Sequence, residues 1–325
     1  MVNSKTQEEQ KTKISIIVAL IKVARPIHWV KNLSIFAAIF LSGYLFDKPY
    51  LIKTIWAFIA FCFITSATYI INDIFDRDAD RLHPTKMRRP IASGSLPISL
   101  AILEISALIV LAVIVSLVGE LDPIFLTIIV IYLLIQILYS AILKNVAILD
   151  IIIIAAGFVL RVYAGAFVIN AHLSVWFLLC VVSVALFLAS GKRRAELNII
   201  QNSDSLTRKS LVFYTKDLLN SYVTMFGNAS WMSWSLFTFF ESPRTSTPFW
   251  IILAELSNTT AIGKLLMFTI PVTIFGIMRY ESLIFQGKSE SPEKLLLTDK
   301  ALIVAVSLWV VSVYWILYSG ISINQ

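Results

Sequence analysis

The sequence predicts an all-α, polytopic membrane protein of about nine transmembrane helices, and three observations carry that prediction. Of 325 residues, 58% are hydrophobic and only 14% charged, with a mean hydropathy of +0.82. A water-soluble domain carries about 25% charged and 45–50% apolar residues, so too little polar material is present to cover a water-facing surface. The apolar residues gather into runs long enough to cross a hydrocarbon core of about 30 Å at 1.5 Å per residue. The basic residues fall between those runs, mostly on alternate sides, as topology determinants do.

The runs lie at approximately 30–46, 51–74, 97–118, 123–141, 146–169, 172–190, 213–240, 260–280 and 299–319. The run at 213–240 is the most polar, with Lys216, Asp217 and Asn228 inside it. Residues 14–29 form a further apolar stretch interrupted by Lys22, Arg25 and Pro26, and read as an amphipathic helix lying in the interface. The first 13 residues are polar, show no cleavable signal, and read as a short cytoplasmic tail. Residues 14–325 read as a single transmembrane domain, because the loops at about 75–96, 191–212 and 281–298 are too short for a core of their own.

Orientation follows from the basic residues. The tail and the loops after even-numbered runs hold 21 of them, against four (Lys48, Lys53, Arg244 and Lys264) on the other side. The N-terminus is therefore expected in the cytoplasm and Gln325 outside, in a plasma (inner) membrane, which requires an odd number of crossings. The net charge of +7 does not point to nucleic acid, since the cations are dispersed among loops between spans. Cys62 and Cys180 both fall in apolar runs without zinc-ligand spacing and read as packing residues.

The chemistry is concentrated at the end of the second run, in Asn72-Asp73-Ile74-Phe75-Asp76-Arg77-Asp78-Ala79-Asp80. If the helix continues through this stretch, Asp73, Asp76 and Asp80 fall at i, i+3 and i+7, within a stripe about 60° wide. Asn72 borders the stripe and Asp78 faces away. Carboxylates crowded on one face repel unless a cation bridges them, and hard oxygen ligands of this kind suit Mg²⁺, which keeps waters and shares phosphate oxygens. The next loop, His83 to Gly94, carries Lys86, Arg88 and Arg89 between Pro84 and Pro90. Cations beside carboxylates fit a site where a highly charged anion lies between them. The bland alternative, a solvated helix end followed by a positive-inside loop, explains the sign of the loop but not its position.

These residues resemble the UbiA-type prenyltransferase superfamily. The likeness lies in Asn72 to Gly94 and recurs in Arg25-Pro26-Ile27-His28-Trp29-Val30-Lys31-Asn32, Tyr139-Ser140, Leu143-Lys144-Asn145 and Asp150. It continues in Gly157 to Arg161, Ala164-Gly165-Ala166, Gly191-Lys192-Arg193-Arg194-Ala195-Glu196-Leu197, Arg279-Tyr280, Ser291-Pro292-Glu293 and Asp299. The resemblance implies a nine-helix bundle whose Asp motifs bind Mg²⁺ and a diphosphate. The stretches beginning at Arg25 and Lys192 favour the family's phosphoribosyltransferase branch. That branch moves phosphoribose from 5-phosphoribosyl 1-diphosphate to a polyprenyl (decaprenyl-like) phosphate, an activity tied to cell wall precursors. The superfamily's second motif pairs two carboxylates four residues apart, but here Asp150 is followed by Ile154. This departure disfavours the alternative of aromatic prenylation from a prenyl diphosphate. A secondary transporter, the alternative from another class, would show related halves with broken helices, and no such repeat is found.

On this resemblance Asp73, Asp76, Asp80 and Asp150 are the expected catalytic carboxylates, with Asp73, Asp76, Asp80 and Asn72 around the metal. Lys31, Asn72, Lys86, Arg88, Arg89, Lys144, Arg161, Lys192 and Arg193 are the expected substrate contacts. Plainer readings stand beside several of them. Arg161, three turns beyond Asp150, is either an anion contact or a tether between helices. Lys31 either reaches the acceptor phosphate or snorkels to the interface. Lys192 and Arg193 either bind substrate or anchor the helix in the cytoplasm. His83 is near enough to the motif to touch phosphate; His28 and His172 receive no role.

Overall fold

The computed structural model describes residues 16–83, 86–200, 209–241, 260–287, 295 and 298–318. The expected tail, Ser291-Pro292-Glu293 and Gln325 lie outside these residues, among which no strand occurs. A nine-residue helix, α1 (16–24), leads into ten residues of 3-10 helix, Pro26–Ile35, and then into α2, Phe36–Leu41. The expected single helix over 30–46 is thus built differently. A 3-10 helix rises about 2.0 Å per residue, so these sixteen residues extend about 29 Å, close to one crossing. Tertiary contacts select this tighter spiral. Asn32 is fully buried and hydrogen-bonded, and the Ile35 carbonyl oxygen lies where a Cβ on Gly165 would be only 1.9 Å away.

The remaining helices are α3 (Lys48–Phe75), α4 (Arg77–Arg81), α5 (Ile98–Val118), α6 (Pro123–Ala141), α7 (Leu149–Val168), α8 (Val175–Ile200) and α9 (Lys216–Phe240). A second 3-10 run, Thr260–Thr269, precedes α10 (Ile270–Phe285), and α11 (Lys300–Tyr318) completes the series. Seven stretches among the described residues are long and apolar enough to cross a membrane: α3, α5, α6, α7, most of α8, Leu265–Phe285 and α11. The other two expected crossings are the split first segment and α9. The latter has 25 residues but carries Lys216, Asp217, Asn220 and Asn228.

Helix α3 starts with Pro49 in its first turn, where the missing N–H has no intrahelical partner to lose. Its 28 residues measure about 42 Å, well beyond a core of about 30 Å. Its last turns, with Asn72 and Asp73, therefore project past the apolar zone. Small residues let neighbours approach it: Ala57 and Ala60 of α3 pack with Ile35, Ala38 and Ile39, with Phe125 of α6 and with Ala164 of α7. Helix α3 also packs on α5, α7 on α8, α8 on α9, and α10 on α11. At the opposite end the Tyr318 hydroxyl donates to the Phe40 carbonyl at 2.7 Å, tying α11 to α2.

The basic loop folds back onto the bundle. Ile91 and Leu96 are buried with Ile70 of α3, Ala101 of α5, and Ala19 and Val23 of α1. The turn is closed by Gly94 at φ +79°, a conformation that favours glycine. Helix α1 and the loop together bring the cations at 22–28 and 86–89 over the projecting end of α3.

Candidate active site

Helix α3 does not run on unbroken through the acidic stretch. Asp76 takes φ −90° and ψ 0°, ending α3, and α4 begins at the next residue. The Asp80 N–H still donates to the Asp76 carbonyl at 2.8 Å, so the break is a kink. The expected single stripe becomes two directions. Asp73 and Asp80 turn toward Arg89, whose Nη1 lies 3.1 Å from Asp73 Oδ1 and 2.6 Å from Asp80 Oδ2. Asp76 turns toward the 3-10 turn Leu143–Asn145 that follows α6, where Lys144 forms its ion pair, while Asn72 Nδ2 of α3 donates to its Oδ2 at 2.9 Å. Ser140, on the last turn of α6, donates to Asn72 Oδ1 at 3.3 Å.

Asp73 is buried and accepts on Oδ1 from Arg25 at 2.5 Å as well as from Arg89. Arg25 also lies over the Tyr69 ring, 5.3 Å from its centroid, and holds φ 52°, ψ 59°, a left-handed backbone costly for a bulky residue. Around Asp73 opens a polar cavity of about 330 Å³, lined by Lys22, Arg25, His28, Arg88, Arg89 and Pro90. Four permanent cations surround one carboxylate there, an excess that suits a multiply charged anion. Burial pushes the Asp80 carboxyl above its ordinary value, against the pull of Arg89.

No three His, Cys, Asp or Glu side chains form a ready metal cluster among the described residues, and Asp73, Asp76, Asp80 and Asp150 are each held by a cation of the protein. One atom nevertheless departs from this arrangement: Asp73 Oδ2 is buried with no hydrogen-bond partner. A buried carboxylate oxygen without a donor is costly, and a hard cation is a partner that would satisfy it. Asp73 Oδ2 fits a Mg²⁺ ion that takes one or two carboxylates and completes its shell with waters and phosphate oxygens, whereas Asp76 and Asn72, turned to the other side, meet such an ion only if the kink rearranges.

Asp150 lies in the first turn of α7, fully buried. It receives the Tyr214 hydroxyl at 2.7 Å, the Ser210 hydroxyl at 3.3 Å, and Arg193 Nε as an ion pair at 2.6 Å. Arg193, itself fully buried, also contacts Glu196 at 2.5 Å and the Tyr139 hydroxyl at 2.7 Å. Tyr214 accepts the Ile148 N–H at 2.6 Å, holding Ile148 at φ 71°, ψ −50°, a strained conformation for a β-branched residue. Burial, together with the bond to Asp150, keeps the Tyr214 phenol protonated well above its ordinary value. The adjacent residues Tyr139 and Ser140 thus join this network to the one around Asp76.

Arg161 is engaged on all three nitrogens: Nε donates to Asn32 Oδ1 at 2.8 Å, Nη1 to the Gly157 carbonyl at 2.7 Å and Nη2 to the Tyr132 hydroxyl at 2.7 Å. In this arrangement it ties α7 to α6 and to the 3-10 segment. Lys86 lies within electrostatic reach of Asp80. Lys31 and Lys192, both half-buried, lie within electrostatic reach of each other. Beyond them an apolar cavity of about 410 Å³ runs between α7, α8, α9, α10 and α11, bordered by Ser34, Phe158, Leu188, Trp234, Ile277 and Trp309 among others.

The structure therefore gathers Asp73, Asp80, Arg88 and Arg89 at one cavity, Asn72, Asp76 and Lys144 beside it, and Asp150 with Arg193 on the flank. Sequence reasoning missed Lys22, Arg25 and His28 as lining residues, and Ser210 and Tyr214 as partners of Asp150. Arg25 and His28 stood within the resembling stretch, which was the one available signal. Ser210 and Tyr214 carried none.

This bundle and its acidic helix end are those of a polytopic membrane transferase, and the chain belongs to the UbiA prenyltransferase family, whose model matches residues 32–195. Among curated relatives it is 35% identical to decaprenyl-phosphate phosphoribosyltransferase of Corynebacterium glutamicum, over 92% of this chain and 86% of that protein. It is 34% identical to the Mycolicibacterium smegmatis protein of the same name, over 91% of each chain. Among solved structures, a UbiA homolog from Archaeoglobus fulgidus bound to GPP and Mg²⁺ shares the fold at a TM-score of 0.64. The match has 18% identity and covers 92% of this chain and 99% of that one. The same homolog bound to Cd²⁺ matches at 0.61.

Proposed function

We propose that this protein transfers 5-phosphoribose from 5-phosphoribosyl 1-diphosphate to a polyprenyl phosphate, releasing diphosphate, with Mg²⁺ as its metal. The names of its curated relatives support the donor and acceptor. The observation that carries the reading is a pair of cavities bordered by one continuous segment. Residues 22–28 border the cationic cavity at Asp73, and Ser34 to Leu41 border the apolar one. A charged sugar donor fits the first and an isoprenoid chain the second.

In the transfer, an oxygen of the lipid phosphate forms a bond to the anomeric carbon of ribose while the bond from that carbon to the diphosphate oxygen breaks. The nucleophile is already ionised, so no general base has to take a proton, and the diphosphate leaves as an anion. Asp73, with Asp80, Asp76 and Asn72 close by, would hold Mg²⁺, which when bound would supply charge neutralisation of the leaving group. Arg25 and Arg89 can shift a hydrogen bond from Asp73 to a phosphate oxygen, and with Arg88 and Lys86 they would hold the diphosphate or the 5-phosphate. Lys144 keeps Asp76 oriented. Asp150 fixes Arg193 and Tyr214 and acts through them. Arg161 is left as a tether. The site opens to the cytoplasm, where soluble phosphosugars such as this donor are available, with the N-terminus on the same side and the C-terminus outside.

The test is diphosphate release by the purified protein given Mg²⁺, 5-phosphoribosyl 1-diphosphate and a polyprenyl phosphate. Release that depends on the lipid and is lost in Asp73→Ala and on chelation is the expected result. Reaction of a prenyl diphosphate with an aromatic acid instead would move the protein to the prenylating branch of its family.

A further inference from the structure

The stretch that carries Ser210 and Tyr214 to Asp150 has a second face. It lies between α8 and α9 and consists of the 3-10 turn Lys209–Phe213 and the residue after it. On its inner side the Ser210 hydroxyl donates to the Lys144 carbonyl at 2.9 Å and lies 3.3 Å from Asp150 Oδ2. Tyr214 holds Asp150 Oδ1 and the strained Ile148 backbone. Leu211 is buried in one cluster with Ile151 and Ala155 of α7. On the outer side Val212 and Phe213 are 78% and 70% exposed, although the residues flanking them are buried.

Helix lengths fix the level of this turn. Helix α6 has 19 residues and α7 has 20, about 28 and 30 Å, so each only just spans a core of about 30 Å. The connection between them, residues 142–148, therefore lies at the bilayer surface. The 2.6 Å bond from the Ile148 N–H to Tyr214 puts the turn at the same level. The outward row Leu134, Leu138 and Ile142 on α6 recurs every four residues and leads, through exposed Ile148, toward Val212 and Phe213. An exposed apolar patch continuous with a lipid-facing row marks contact with the membrane, and Lys216, exposed at the start of α9, is at hand for anionic headgroups.

We propose that Val212 and Phe213 insert into the headgroup–acyl boundary of the bilayer, and that this lipid contact latches the turn onto Asp150 and the Lys144 carbonyl. If the turn lifted away, Asp150 would lose two hydroxyl donors and Ile148 the partner that holds its strained backbone. Lys144 pairs with Asp76, so the latch steadies both carboxylates from one place. The lipid contact is independent of the reaction proposed above; its effect on turnover rests on that reading.

The experiment uses the full-length chain in vesicles of phosphatidylethanolamine and phosphatidylglycerol. A nitroxide on Val212→Cys is read by power saturation with oxygen and with a nickel chelate. Label on the unsubstituted chain, whose Cys62 and Cys180 are buried, is subtracted. Oxygen should relax the label more at position 212, and the chelate should do so at the exposed Asp78→Cys. Hydrogen exchange of the Ile148 amide should quicken about tenfold in Val212→Ser/Phe213→Ser and stay within about twofold in Val212→Leu/Phe213→Leu. Under the proposed reaction the Ser pair also lowers kcat, with both KM values within about twofold. A label at 212 that meets the chelate first refutes the lipid contact. A label shielded from both reagents puts a second copy or another protein on the patch, and refutes it as well. Oxygen contact with unchanged Ile148 exchange in the Ser pair refutes the latch. If wild type releases no diphosphate, the proposed function fails, while label and exchange still decide the latch.

Discussion

Gly165→Ala is expected to dislodge the first segment from the bundle. The added Cβ would sit 1.9 Å from the Ile35 carbonyl oxygen and 2.8 Å from its carbon. Both are backbone atoms, so no side-chain rotation relieves the clash. Ordinary contact begins at 3.4 Å, and α7 and the 3-10 segment must part by about 1.5 Å to reach it. The Arg161–Asn32 bond, now 2.8 Å, does not survive such a shift. Overpacking costs about 1–3 kcal/mol and a lost bond to a charged group about 1.5–3 kcal/mol. For a chain of 325 residues, a total near 3 kcal/mol corresponds to a fall in Tm of about 4 °C. The assay is thermal unfolding in detergent at a fixed scan rate, with Gly276→Ala as control, since nothing lies within 4 Å of a Cβ there. The segment borders the apolar cavity through Ser34, Ala37 and Leu41, so the acceptor KM should rise as well. A Gly165→Ala protein with the Tm and acceptor KM of wild type would refute the close approach of the two backbones.

Three further outcomes follow from the site. Asp80 binds a proton more readily in the folded protein than in the unfolded chain, so its charged form lowers stability, and that stability returns as pH falls through its folded-state value. Asp80→Asn should therefore unfold no earlier than wild type at pH 7.5, while Mn²⁺ binding followed by electron paramagnetic resonance weakens. Tyr214→Phe leaves the Ile148 N–H and one oxygen of Asp150 without their partner. It should cost about 1–3 kcal/mol in chemical denaturation and lower kcat more than it alters either KM. Arg161→Lys keeps the charge but loses the fork that reaches Asn32, Gly157 and Tyr132. A tether predicts a lower Tm with the donor KM within about twofold of wild type, and a rise of tenfold or more in that KM would restore Arg161 as an anion contact.

The sequence revealed those parts of the fold whose cause is local. Uninterrupted apolar runs such as 51–74 became whole helices because length and hydropathy suffice for a crossing. The acidic and basic halves of the site were readable because they are neighbours in the chain. What escaped was set by distant contacts. Arg25 meets Asp73 across 48 positions and Tyr214 meets Asp150 across 64, and neither side chain belongs to a local pattern. The kink at Asp76 was also hidden, since i, i+3, i+7 spacing reads as one stripe only if the helix stays regular. The tight spiral of the first segment depends on the bare Cα of Gly165, more than a hundred residues away.

Helix α5 fully buries only Ala101, Ala112 and Ser116, all small, half-buries Leu100, Ile105, Leu108, Ile109 and Val115, and turns most of the rest outward. Its three small positions are the ones that set how near it comes to α3. The outward residues, among them Leu103, Val110, Ile114 and Leu117, answer only to the oiliness of their surroundings. In a library permuting Leu, Ile, Val and Phe at those sites, nearly every member should remain functional. The permitted alphabet at the three small positions would shrink almost to a single letter.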